Sequence, residues 1–280
     1  MSVLRLKALF RNGIEQNQET QRHANGNANA ELDVSGRGLG DPGAIVVARG
    51  FRLGTVLLKA LTALNLEDND IGVEGAEAIA ASLKHSLRLT SLNMTANRIA
   101  DGGATALANA VLCEDLPLRT LSLHGNIIGE VGAIAIFERL ELSLVLETLD
   151  MGSNLLRTNG AEAVVDALWR QAHATHRSTR GPAVSLGPKG TGTLEAGCTA
   201  GLTVLNLGFC YLGNEGAVIL SKALPLNSTL SELRIYSNEY VRPPPAQRRA
   251  CLLAHAHTHA GNAAENAFLS PTHHPQLIRV

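Results

Sequence analysis

Residues 61–71 read Leu-Thr-Ala-Leu-Asn-Leu-Glu-Asp-Asn-Asp-Ile, and residues 89–99 read Leu-Thr-Ser-Leu-Asn-Met-Thr-Ala-Asn-Arg-Ile. The same eleven-residue frame returns at 118–128 (LRTLSLHGNII), 146–156 (LETLDMGSNLL), 202–212 (LTVLNLGFCYL) and 230–240 (LSELRIYSNEY). Apolar residues hold its first, fourth, sixth and eleventh places. The ninth place holds Asn69, Asn97, Asn126, Asn154, Cys210 and Asn238, at steps of 28, 29, 28, 56 and 28 residues. A degraded copy at Leu32-Asp-Val-Ser-Gly-Arg-Gly-Leu39 puts Arg37 where the others carry Asn. Self-similarity at a fixed period of this length is the signature of a stacked repeat array. Seven copies are expected, the first imperfect and the last truncated.

Each frame reads as a short strand, because alternation turns Leu64 and Leu66 inward and leaves Ala63, Asn65 and Glu67 outside. A shared phrase follows. Ile71-Gly-Val-Glu-Gly-Ala matches Leu212-Gly-Asn-Glu-Gly-Ala, and Gly103-Ala104, Gly132-Ala133 and Gly160-Ala161 hold the same place. Apolar residues then recur at helical spacing, as in Ala76, Ile79, Ala80 and Leu83. One unit with a single apolar stripe cannot bury it alone, whereas stacked units merge their stripes into one core. The Asn amide at the strand exit can bond backbone groups of its own and the adjacent turn, predicting a ladder along the stack. Cys210 fits the same place with a weaker hydrogen-bonding demand.

The 56-residue step breaks the rhythm. One period beyond Leu146, Leu149, Met151 and Asn154 stand Ala174, Arg177, Thr179 and Pro182, which do not fit. The Gly-, Thr- and Pro-rich stretch 171–200 therefore reads as a disordered insertion, leaving after a helix over Ala161–Trp169 and returning at Leu202. Insertions of this kind cost little in loop closure, so the repeats of Asn154 and Cys210 should be spatial neighbours. The expected organisation is an N-terminal helix, linker and cap at 1–29, a repeat domain at 30–240, and a Pro- and His-containing C-terminal tail or cap at 241–280. Within that tail, Gly261–Val280 offers no recognisable element.

Composition narrows function. The 280 residues carry 24 Lys plus Arg against 25 Asp plus Glu. That near-neutral balance argues against a nucleic-acid binder, which would show a basic face. Aromatic residues are 3% of the chain, so the core must be built of Leu, Ile, Val and Ala. No apolar run approaches the ~20 residues of a membrane span, and the scattered Cys113, Cys198, Cys210 and Cys251 form no CxxC. A cytoplasmic monomer is expected.

Three motifs invite chemistry and are set aside. Gly38-Leu-Gly40-Asp-Pro-Gly43 has the spacing of a dinucleotide loop, but Gly40 and Gly43 are repeat positions shared with Gly72 and Gly75. Gly187-Pro-Lys-Gly-Thr-Gly lacks the order of a phosphate loop. His255, His257 and His259 supply too few ligands for a stable metal site. No cofactor, no metal and no catalytic residue is expected.

The repeat frame resembles the leucine-rich repeats of the ribonuclease-inhibitor type, also found in NOD-like receptors and Ran GTPase-activating proteins. The resemblance covers roughly residues 30–240. It implies an α/β right-handed solenoid of about seven repeats, a short horseshoe arc with a parallel sheet on the concave side and helices on the convex side. It further implies a non-enzymatic scaffold that binds another protein; a GTPase-activating role toward a Ran-like GTPase, or a detached receptor-type sensor arm, is the alternative.

Solvent-facing strand positions line up as columns. One runs Asp33, Asn65, Asn93, Ser122, Asp150, Asn206, Arg234; the next Ser35, Glu67, Thr95, His124, Gly152, Gly208, Tyr236; a third Gly36, Asp68, Ala96, Gly125, Ser153, Phe209, Ser237. The candidate partner-binding residues are Asp33, Glu67, Asp68, His124, Asp150, Phe209, Arg234 and Tyr236. The first end is acidic. The far end gathers Phe209, Tyr236 and Arg234, residue types enriched at binding hot spots.

Overall fold

A computed structural model describes residues 30–52, 61–86, 88–112, 116–140, 143, 145–178, 201–224, 227, 229–238 and 277–279. The cap expected within 1–29, most of the insertion and nearly all of the C-terminal tail lie outside these residues. Strands and helices alternate along the chain. They are β1 (Ala30–Asp33), α1 (Gly40–Arg52), β2 (Leu61–Asn65), α2 (Val73–Leu83), β3 (Ser91–Asn93), α3 (Ala100–Val111), β4 (Thr120–Ser122), α4 (Glu130–Leu140), β5 (Thr148–Asp150), α5 (Arg157–Ser178), β6 (Val204–Asn206), α6 (Gly213–Ala223), β7 (Glu232–Arg234) and β8 (Leu277–Arg279).

The sheet order is sequential, β1 through β8. The first seven strands run parallel, and a helix returns the chain between each consecutive pair of them. Register follows the sequence frame. Leu32, Leu64, Leu92, Leu121, Leu149, Leu205 and Leu233 pair in succession across the sheet. All seven are buried, and each contributes roughly 1.5–3 kcal/mol of burial. Facing them are the helix stripes, such as Ala76, Ile79, Ala80 and Leu83 of α2 and Ala104, Leu107, Ala108 and Val111 of α3. The recurring Ala lets each helix lie close to the sheet.

The long step is one repeat with an inserted segment, because β5 pairs directly with β6 through Leu149 and Leu205. The boundary of the insertion differs from expectation. Helix α5 does not stop near Trp169 but continues to Ser178, so residues 171–178 are helical. At the start of this extension stands Gln171, which is fully buried. Its Nε2 donates to the Leu140 carbonyl at 3.1 Å, and its Oε1 accepts the Leu202 N–H at 3.4 Å. It ties the outgoing helix to the returning chain. A second difference lies in the stretch 261–280, where Leu277–Arg279 forms a strand antiparallel to β7.

Candidate functional site

The candidate site is the sheet face opposite the helices. The register Asp33, Asn65, Asn93, Ser122, Asp150, Asn206, Arg234 runs unbroken across it. Most members of this column are Asp or Asn for a local reason. At each such strand exit the side-chain Oδ1 accepts the N–H two residues on: Asp33 from Ser35, Asn65 from Glu67, Asn93 from Thr95, Asp150 from Gly152 and Asn206 from Gly208, all at 2.9–3.1 Å. These are the short side chains suited to turning the chain in this way. Burial alone would raise the Asp33 pKa, but the Ser35 and Asn65 hydrogen bonds and the nearby Arg37 charge outweigh it and hold the carboxyl below its usual range.

The eight partner-facing candidates fall into three groups. Asp33 ends β1, and Glu67 and Asp68 lie in the turn after β2, where Glu67 accepts a hydrogen bond from Asn93 Nδ2 at 3.0 Å and Asp68 is exposed. In the middle, His124 Nδ1 lies 3.4 Å from Asp150 Oδ1, and Asp150 also accepts from Asn206 Nδ2 at 2.9 Å. At the far end, the rings of Phe209 and Tyr236 meet edge to face, with centroids 5.5 Å apart and planes at 86°. Such pairs add roughly 0.5–1.5 kcal/mol beyond their buried area. Arg234 turns to Glu232 of its own strand, Nε to Oε1 at 2.5 Å, so its charge is already engaged.

Two glycines make this arrangement possible. A Cβ on Gly152 would lie 2.6 Å from His124 Nδ1, and one on Gly208 would lie 2.5 Å from Tyr236 Cζ. His124 leans over the next strand's turn and Tyr236 over the preceding one. The two side chains thus converge from opposite sides on a floor of neighbouring glycines.

Below this face the Asn side chains bond from turn to turn. Asn154 Oδ1 accepts the N–H groups of Asn126 and Ile128, and its Nδ2 donates to Leu123, Met151 and Gly152 carbonyls. Asn69, Asn97 and Asn238 likewise take N–H groups from the preceding turn and return bonds to its carbonyls. Asn126 is a weaker rung, because its Oδ1 has no partner among the described residues. At Cys210 the thiol faces the Met151 and Gly208 carbonyls at 3.2 and 3.5 Å and can donate to one at a time. Burial, aided by the Asp150 charge and opposed by the Asn154 N–H, pushes this thiol up to about 12.

Sequence reasoning missed a second inter-repeat device. Asp41 Oδ1 accepts the N–H groups of Gly72 and Gly75 at 2.7 and 2.9 Å, and Asp101 Oδ1 those of Gly129 and Gly132 at 2.6 and 3.0 Å. Each carboxylate sits at the N-terminus of the next helix and satisfies donors that the helix cannot. The signal was available as Asp-x-Gly at 41–43 and 101–103. The glycine-spaced stretch 38–43 is thus a repeat turn that carries a cap.

The turn position before each ladder residue is left-handed in every repeat: Gly36, Asp68, Ala96, Gly125, Ser153, Phe209 and Ser237 all have φ between +52° and +65°. Ile127 and Tyr211, just after the ladder residue, have φ +58° and +56°. Left-handed backbone costs a residue with a Cβ roughly 1–2 kcal/mol, most tellingly where the side chain is β-branched or aromatic. No group of three or more metal-ligating side chains occurs among the described residues, and none of their helices is long and apolar enough to cross a membrane.

Comparison with known proteins agrees with this geometry. A family model described as Leucine Rich repeat matches residues 59–80, 85–108 and 202–221. The chain is 26% identical to NACHT, LRR and PYD domains-containing protein 12 of Mus musculus over 74% of its length, and 24% identical to ribonuclease inhibitor of Mus musculus over 85%. It is 29% identical to RAN GTPase-activating protein 2 of Arabidopsis thaliana over 44% of its length. The aligned regions span only 17%, 54% and 22% of those relatives, respectively. With seven in-register parallel strands alternating with helices, the chain has the architecture of a leucine-rich repeat solenoid, and its sequence is similar to leucine-rich repeat proteins of the ribonuclease-inhibitor-like subclass.

Proposed function

We propose that this chain is a non-enzymatic interaction scaffold, a cytoplasmic monomer that holds a protein partner on the sheet face opposite its helices, the concave side of the arc. The observation that carries the reading is the Phe209–Tyr236 edge-to-face pair, held over Gly208 on that face. Rigid aromatic area already fixed in place loses little entropy on binding. Arg234, paired with Glu232 on its own strand, borders the rings, and Asp33, Glu67, Asp68, His124 and Asp150 set the polar character of the remaining strands. At ~4.8 Å per strand, seven strands span about 29 Å, enough for a small protein interface.

The names of its relatives put two purified proteins first in line, a ribonuclease and a Ran-type GTPase. For any partner that binds, a double Arg234→Ala and Tyr236→Ala change should weaken affinity at least about tenfold with unchanged melting. Unchanged affinity in a folded double variant removes the cluster as the centre of the interface. Added GTPase activity, measured as GTP hydrolysis with and without this chain, would instead favour the regulatory reading.

A further inference from the structure

Four of the seven large apolar side chains exposed among the described residues stand in three consecutive strand-to-helix turns. They are Ile127 (55% exposed), Leu155 (37%), Phe209 (49%) and Tyr211 (52%). Together with Gly125 and Ser153 they line a groove of about 440 Å³. Scattered apolar residues need no explanation, but a contiguous set around one groove marks a contact surface.

Two further observations support that reading. The equivalent places in the second and third repeats hold Asp68, Asp70, Ala96 and Arg98, so the edge changes from charged to apolar at β4. Moreover, Ile127, Phe209 and Tyr211 are all left-handed, where glycine, Asn or Asp is the easier choice for folding. The turn sets that backbone, which Gly125 and Ser153 share; what distinguishes these three positions is a large apolar side chain placed on it and left exposed.

The charge around the groove is lopsided. Arg98 is held by Asp70 at 2.9 Å, and Arg157 by Glu130 at 3.8 Å. Glu67, Asp68 and Asp150 form no ion pair with Lys or Arg among the described residues. Asp150 leads into the turn that supplies Ser153, and Asp68 lies in the column of Gly125, two strands or about 10 Å away.

We propose that this groove seats one bulky aliphatic or aromatic side chain from a basic segment of the partner protein, whose Lys and Arg residues run toward Asp150, Asp68 and Glu67. The inference deepens the open-face reading by naming the chemistry of what binds and where its apolar anchor enters.

The test uses the full chain and two synthetic peptides, one rich in Lys and Arg around a central Trp, the other with Gly in place of that Trp. The Trp peptide should bind at least about tenfold more tightly than the Gly peptide, and more weakly as salt rises. A double Ile127→Asn and Tyr211→Asn variant should lose that difference. Asn adopts left-handed backbone readily, so the variant should keep the melting transition of the parent chain, measured alongside. Equal affinity for the two peptides, no binding of the Trp peptide up to about 1 mM, or undiminished preference in the double variant would overturn the proposal. If the preference disappears in that variant while the Arg234→Ala and Tyr236→Ala variant retains its protein partner, the groove stands and the aromatic cluster falls. The reverse pair of results removes the groove and leaves the cluster.

Discussion

Tyr236 lies so closely over Gly208 that a Cβ on the glycine would sit 2.5 Å from the ring's Cζ. The two residues belong to adjacent repeats, and the contact fixes the ring that meets Phe209 edge to face. Gly208→Ala should therefore displace Tyr236 without harming the core, since Leu205 and Leu207 remain buried. The expected cost is about 1–2 kcal/mol in urea unfolding, with loss of the ring-current shifts of the Phe209–Tyr236 pair in NMR spectra. Unperturbed ring resonances would show that the glycine is not needed for the cluster.

The rungs of the Asn ladder should differ in strength. Asn154 makes five hydrogen bonds through its side chain, whereas the Asn126 oxygen has no partner among the described residues. Asn154→Ala should cost about 3 kcal/mol and Asn126→Ala about half as much, because each orphaned buried group costs ~1–3 kcal/mol. Equal losses on denaturant unfolding would contradict the unequal bonding.

Much of this was legible in advance. The Leu spacing fixed strand register as well as strand existence, because a slip of one residue would have turned Leu64 and its equivalents to solvent. The direct pairing of β5 with β6 followed from Pro182 and Arg177 failing the frame. What could not be read was the burial of Gln171, an ordinary polar residue whose partners, Leu140 and Leu202, are distant in sequence. Nor could a column of solvent-facing residues reveal that one oxygen each of Asp33 and Asp150 is bonded to its own turn, or that Arg234 faces Glu232. Such local competition depends on side-chain direction, which spacing does not encode. The exposed Ile127, Leu155 and Tyr211 were in view but were counted within the repeat frame rather than across it.

Cys210 supplies a third test, in a chain whose other cysteines are changed to Ser. With its pKa raised from 9.0 to about 12 by burial, the folded protein holds the thiol proton more tightly than the unfolded chain. That contribution is complete below pH 9.0 and is lost as pH climbs toward 12. Alkylation at pH 8 should require unfolding, and Cys210→Asn, by restoring an amide to the ladder, should raise stability by about 1 kcal/mol. Fast alkylation of the native protein would refute the burial.

The aspartate caps offer a fourth. Asp101→Ala strips partners from the Gly129 and Gly132 N–H groups and should lower stability by about 1 kcal/mol. Asp101→Asn, which keeps the acceptor and loses the charge, should recover part of it. Identical behaviour of the two variants would leave the cap without a role for its oxygen.

The central claim is that partners bind the open sheet face, and hydrogen–deuterium exchange on the chain bound to a partner tests it most directly. Protection is expected in the segments 120–125, 148–153, 204–211 and 232–238, with the helices α2 to α5 unchanged. Protection centred on those helices, with the strand exits exchanging as in the free chain, would contradict it.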